Sequence, residues 1–332
     1  YQPQVKLLAR RQGNWLIDKL LTFKTAFLNK INLILPEPES SLLAGLLLGV
    51  KQSLGNEWLE RFRTAGVSHI IVLSGYNLTI IADSLIKFFS LSSRLPRAVG
   101  WSGGALAIVL FAIMTGGGAT VVRASIMALT ALFARATGRV YDAANALFLA
   151  AFLMVALKPK ILIYDIGFQL SFLATLGLIY LSPALERRFS WLAPRKLSPL
   201  NRTWWFKFKE SWRGVLISTL SAQIAVLPWI LYKMGLLSLV SLPANLLILI
   251  TIPFTMLFGF IAASLAFIST YLAWPFALLA HGLLTYQLFI TKLLSNLPLA
   301  AVTIPYFPWW AVIICYVALG WWVRRVSLLN KT

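Results

Sequence analysis

The chain has 332 residues, of which 59% are hydrophobic and only 12% charged. Soluble domains carry about 25% charged residues, so this balance excludes an ordinary soluble globular protein. It reads as an all-α, polytopic transmembrane helix bundle, with room for about eight to ten spans of roughly 20 residues each. The charge that remains is lopsided, 30 Lys plus Arg against 10 Asp plus Glu for a net +20. Such a surplus seeks a polyanion: the lipid headgroups around any membrane protein, or a nucleic acid. One cysteine, Cys315, excludes an internal disulfide and a cysteine-based zinc cluster, and two histidines, His69 and His281, exclude a histidine-rich metal site. The chain opens on Tyr1 without a signal-peptide pattern, which reads as a piece of a longer or processed protein.

Residues 1–40 form the first segment, basic and amphipathic: Lys6, Arg10, Arg11, Lys19, Lys24 and Lys30 alternate with Trp15, Leu20, Phe23, Phe27 and Ile31. That pattern predicts a helix in the headgroup plane, ended by Pro36 and Pro38. A transmembrane domain is expected over 41–325, with 326–332 as a tail. It starts with SLLAGLLLGV, too short to span and hence re-entrant, interfacial or buried in protein. EWLERFRTAG then predicts a polar helix ending at Gly66. Spans are expected near 67–89, 98–115, 119–136, 142–157, 161–182, 213–232, 251–270, 274–297 and 307–323. The stretch 235–250, interrupted by Gly235 and Pro243 with Asn245 inside it, predicts a re-entrant or half-spanning piece. The loop 183–213 is the longest polar stretch and strongly basic, so the positive-inside rule places it in the cytoplasm. Counting spans puts Arg135, Arg139, Arg94 and Arg97 on the same side, and Arg324 and Arg325 too if 235–250 does not cross. Lys158 and Lys160 fall on the wrong side.

Ionisable groups inside spans are costly and point to function by default. Arg123 lies in GGGATVVRASIMAL, inside an apolar helix opened by three glycines. Its guanidinium cannot lose its charge and must face water, a carboxylate or a phosphate. In YDIGFQLSFLATLGLI, Asp165 and Gln169 share a face at i, i+4 spacing, with Ser171 nearby. An Arg123–Asp165 pair is expected, either lining a passage or as a buried structural ion pair. SHIIVLSGYNLTIIADSLIKFF carries His69, Ser74, Gly75 and Asn77. Ser74, Asn77, Leu78 and Ile81 fall on one helical stripe, which either lines a site or binds helix to helix. Gln223, before Pro228, and Asn245, beside Pro243, add polar groups near backbone breaks.

In RTWWFKFKESWR, aromatics alternate with cations: Arg202, Trp204, Trp205, Lys207 and Lys209, with Arg187 and Arg188 just upstream. The pattern suits single-stranded nucleic acid and equally suits an aromatic belt with a basic flank against lipid headgroups. A Ser74–His281 dyad would make an intramembrane protease, but the residues before Gly75 are Val72-Leu73-Ser74, without the leading glycine of the rhomboid G-x-S-G motif. The sequence holds no H-E-x-x-H, no P-loop and no fixed carboxylate pair. No catalytic, cofactor or metal site is expected, which favours a conduit over an enzyme.

Five stretches, taken in order, resemble the membrane domain of ComEC-type competence proteins: LLAGLLLGVKQSL, FRTAGVSHIIVLSGYNL, TGGGATVVRASIMAL, YDIGFQLSFLATLGLIYL, and Ala222-Gln223 leading into LPWILYKMGLLSLVSLPANLL. The resemblance covers roughly residues 40–270. It implies a channel that passes transforming DNA as a single strand across the bacterial cytoplasmic membrane. It also implies a DNA receptor and an ATP-driven motor as partners, contact with membrane lipids, and room for a homo-oligomer. This chain departs from the family in having Asn77 where the family's Ser-Gly-Leu-His motif ends in histidine. An amide can only hydrogen-bond there. The family's larger members add an OB-type and a metallo-β-lactamase-like nuclease domain, and two histidines cannot supply the latter's metal ligands. Arg123, the broken helices, the polar stripe and the basic loop become candidate parts of a DNA path. A small-solute permease is the alternative, since transporters also use broken helices at mid-membrane.

Overall fold

The computed structural model describes residues 14–50, 54–71, 74–75, 77–78, 80–81, 97–189, 204–304 and 307–328. Helix dominates them, as the composition requires. The first helix, α1 (Trp15–Ile34), is capped by the Asn14 side chain, which accepts from the Leu16 N–H. Its buried residues, Phe27 and Ile31, are four apart and so share one face. That face packs on the bundle: the Phe27 ring lies 5.9 Å from Phe260, Phe23 stacks on Phe267, and Lys30 sits over the Phe267 ring. Trp15, Leu16 and Leu33 stay exposed.

Helix α2 (Glu39–Leu48) is buried at every residue. Its 10 residues rise only about 15 Å, half the hydrocarbon thickness. Of the three placements its sequence leaves open, the structure has the one inside protein. Short polar α3 (Gly55–Thr64) and α4 (Ser68–Ile71) follow. Most of the span expected over 67–89 lies outside the described residues. Next come α5 (Arg97–Met114), α6 (Ala119–Ala136), α7 (Ala143–Leu157) and the single turn α8 (Ile161–Tyr164). α9 (Ile166–Leu176) runs through π-helical turns at Gly177–Leu181 into α10 (Ser182–Arg188). The span expected to start at 161 therefore breaks at Asp165, whose carboxylate caps α9 by accepting from the Phe168 N–H at 2.8 Å. Asp is a strong N-cap because it satisfies an N–H that the helix cannot.

Helix α11 (Trp204–Met234) starts well inside the stretch expected to be loop, so the helical hairpin arms extend into the basic region. A two-stranded antiparallel ladder joins β1 (Leu236–Ser238) to β2 (Ala301–Thr303). Between them lie α12 (Ser241–Leu249), α13 (Ile252–Leu265) and α14 (Thr270–Ser295), and α15 (Trp309–Leu328) closes the chain. α12 and α13 bend by 45° at their junction, so the expected half-span exists as one arm of a broken span.

Among the described residues, four helices are long and apolar enough to cross a membrane, or five with the bent pair taken as one span. The ranges expected at 98–115, 142–157 and 307–323 form helices too. α7 and the apolar part of α5 are shorter than a span. α15 carries Arg324 and Arg325 and opens and closes on tryptophan pairs.

Close approach of α9 and α11 depends on Gly177, where an added Cβ would stand 2.6 Å from the Ser221 carbonyl oxygen. Backbone cannot yield as a side chain does. Gly177→Val should lower the thermal midpoint of the detergent-solubilised chain, by an overpacking cost of about 1–3 kcal/mol. Gly282→Ala, where a Cβ meets nothing within 4 Å, should hold or raise the midpoint.

Candidate functional site: a buried arginine between three elements

Arg123 sits in the second turn of α6 and is 7% exposed. Its Nη1 donates to the Thr175 hydroxyl on α9 and lies 3.8 Å from Met127 Sδ. Its Nη2 crowds the space over Gly75, where any Cβ would collide with it. Leu78 packs with Val121 and Ala124, which seats the 74–81 segment on α6. Three elements thus converge on one guanidinium. Among the described residues no carboxylate oxygen lies within 4.0 Å of it, and its Nε has no partner.

The expected Arg123–Asp165 pair is not formed. Thr175 is ten residues beyond Asp165 on the same helix, a rise of roughly 15 Å. Asp165 stays at the helix end as a cap, while Arg123 meets the helix middle. Gln169 braces that same break. Its Nε2 donates to the carbonyls of Leu162 and Ile163, each at 2.9 Å, and its Oε1 accepts from Trp229 Nε1 at 2.9 Å. Trp229 follows Pro228, so one amide ties the α8–α9 break to the proline turn of α11.

Ser171 is buried, and its carbonyl accepts from the Thr175 hydroxyl at 2.8 Å, which orients that hydroxyl's lone pairs toward Arg123. Ser74 Oγ accepts from the Asn77 N–H at 3.2 Å. Asn77 is 1% exposed with Nδ2 unpartnered among the described residues. Gln223 Nε2 and Asn245 Oδ1 are likewise buried without partners among them. Both lie away from Arg123 in sequence, on α11 and α12. His69 is exposed on α4. Arg187 and Arg188 end α10 as exposed side chains. Trp204, Trp205, Lys207 and Lys209 lie on the first turns of α11, with side chains outside the described set, and Arg202 lies outside the described residues. No hydrogen bond joins Ser74 to His281, so the protease dyad is not assembled.

Three participants were missed in the sequence. Thr175 is marked there only by its i, i+4 spacing from Ser171. Tyr141, in the loop after α6, lies within electrostatic reach of Arg123: burial pushes its phenol up, and the Arg123 charge pulls it back. The third is a polar knot around Gln287, 1% exposed, whose amide donates to the Thr251 and Thr255 hydroxyls at 2.9 and 2.7 Å. It pins the α12–α13 bend to α14. Among the described residues no three His, Cys, Asp or Glu side chains gather as a metal site.

A guanidinium keeps its charge when buried, and the Thr175 hydroxyl that it donates to is neutral. The Competence protein family model matches residues 46–328. The chain belongs to that family. It is also 24% identical over 247 residues to ComE operon protein 3 of Bacillus subtilis, covering 74% of this chain and 29% of that protein. The chain thus spans under a third of its relative's length. No solved structure matches it.

Thr175→Val removes the hydroxyl while keeping the shape, leaving buried donors unpaired. It should destabilise the chain by about 1–3 kcal/mol. Asp165→Ala should cost about 1 kcal/mol through the lost cap. Because the two residues serve different contacts, the double variant should lose the sum in thermal unfolding.

Proposed function

We propose that this chain is the membrane domain of a DNA-uptake protein, passing a single DNA strand across the bacterial cytoplasmic membrane during natural transformation. It acts as a conduit and not as an enzyme. The observation that carries the reading is Arg123: a permanent cation held in an apolar span with a hydroxyl for company and, among the described residues, no carboxylate. A strand of phosphates brings about one charge per nucleotide into a low-dielectric slab. A fixed guanidinium offers that charge two-pronged hydrogen bonds and Coulombic relief. Membership of the competence family favours DNA as the anion over a small solute.

On this reading Thr175 and Gly75 aim the guanidinium, and the buried Asn77 amide lies two residues beyond Gly75 in the chain. Arg187, Arg188 and Arg213 form the basic mouth, with Arg213 held by the Glu186 carbonyl at 2.9 Å. Membrane lipids, an outer DNA receptor and an ATP-driven motor are the partners.

Entry of labelled DNA into the cytoplasm tests this, with membrane abundance checked for every variant. Arg123→Ala should cut entry at least about tenfold, equivalent to about 1.4 kcal/mol, while DNA still binds outside. Arg123→Lys should recover part of it, since a point charge replaces a fork. Normal entry in a deletion strain would overturn the reading in favour of small-solute transport.

A further inference from the structure

The apolar helices of this bundle come in two heights. The long ones are Ile166–Arg188 (α9 through α10) and Trp212–Met234 of α11, with 23 residues each, and α14 with 26. They rise about 35 and 39 Å, enough to cross a hydrocarbon core of about 30 Å with some tilt. The short ones adjoin one another. α7 has 15 residues and no charged side chain among them. It rises only about 22 Å. α6, on which it packs, has 18 residues with Arg135 already in its last turn. α5 packs on α6 in turn, and its apolar part, Gly100–Met114, is as short as α7.

Charge bounds the apolar height of α7 at both ends. At one, Arg139 is exposed and Asp142 caps the helix, its carboxylate accepting from the Asn145 N–H at 2.8 Å. At the other, Lys158 closes the helix and Lys160 follows, both exposed. Between the two ends Leu147 and Met154 are buried, while Phe148, Phe152 and Leu157 are 69–82% exposed. The single turn α8 comes directly after Lys160 and leaves Tyr164 exposed. A tyrosine beside lysines is the composition of a headgroup-level boundary.

We propose that the α5–α7 side of the bundle binds a locally thinned bilayer. Its apolar face takes short hydrocarbon chains, and Arg139 at one end and Lys158 and Lys160 at the other take the phosphate headgroups. A long helix meets a thinner slab by tilting, whereas tilt only shortens the reach of a short one. Lysine stems stretch part of the way to the headgroups. The rest of a mismatch of about 8 Å falls on the lipid. Lys158 and Lys160, which the positive-inside count leaves on the wrong side, then mark the edge of the slab. Arg123 benefits, because it lies in the second turn of α6. A headgroup level drawn inward leaves its charge under less hydrocarbon. The thinning is independent of what passes through the bundle.

The test uses the full chain with Cys315→Ser and one new cysteine carrying a fluorescent label, Phe152→Cys on α7 or Leu279→Cys on α14, both exposed positions. The chain is reconstituted in vesicles that mix monounsaturated phosphatidylcholines of about 14 and 22 carbons, one of the two brominated as a quencher. The ratio of short-chain to long-chain quenching should be at least about twofold higher at α7 than at α14. Equal ratios overturn the proposal. A label on α7 that neither lipid quenches puts protein on this face and overturns it too. Lys158→Leu/Lys160→Leu changes two exposed side chains and extends the apolar run through α8. In that background the α7 ratio should fall to the α14 value. An unchanged ratio overturns the charged boundary on which the proposal stands.

Discussion

A guanidinium that cannot shed its proton, placed in an apolar helix, dictates what surrounds it. Arg123 needs an acceptor and room, and the bundle supplies them from outside α6: a hydroxyl on α9 and, at Gly75, the space that a missing side chain leaves. Each supply fixes an element. Thr175 requires α9 to lie along α6 at one register. Gly75 requires the 74–81 segment to approach at backbone distance. The intimate α9–α11 contact at Gly177 then positions α11. Helix association in lipid gains little from the hydrophobic effect, so such polar and small-residue contacts set the geometry.

Breaks follow the same economy. α8 stops at Asp165, α11 carries Pro228, and α12 bends into α13. At the first break the Gln169 amide donates to the Leu162 and Ile163 carbonyls, so that backbone is satisfied inside the protein; its oxygen reaches the Trp229 indole beside Pro228, and Gln287 holds the Thr251 and Thr255 hydroxyls at the third. Irregular backbone survives at membrane depth only under that condition. Polar side chains at these positions brace the breaks, while Arg123 places a permanent charge among them.

Much of this was legible in the sequence. Composition gave the all-helical membrane class, and the lone arginine in GGGATVVRASIMAL announced itself through its cost in lipid. The buried state of SLLAGLLLGV lay among the expected alternatives. The partner of Arg123 was not legible. Periodicity tells which residues share a face of one helix, and Asp165 and Gln169 do share one, yet it is silent on the level at which two helices cross. Ten residues of rise separate the carboxylate the eye finds from the hydroxyl the fold uses. The approach of Glu39 to His281 stayed hidden for a similar reason: 242 positions of sequence stand between them.

The small ladder between Leu236–Ser238 and Ala301–Thr303 carries a parity rule. Two strands hydrogen-bonded side by side occupy one depth, so the path from one to the other must leave and return. Whatever bends in α12 and α13, the membrane is crossed an even number of times between them. α11 arrives at that level and α15 departs from it, and the Tyr316 hydroxyl donating to the Ala225 carbonyl at 3.0 Å sets the two helices mid to mid. Their far ends therefore emerge on one face. Arg324 and Arg325 then lie at the same end of the bundle as Arg187, Arg188 and Arg213, five of the chain's 30 lysines and arginines.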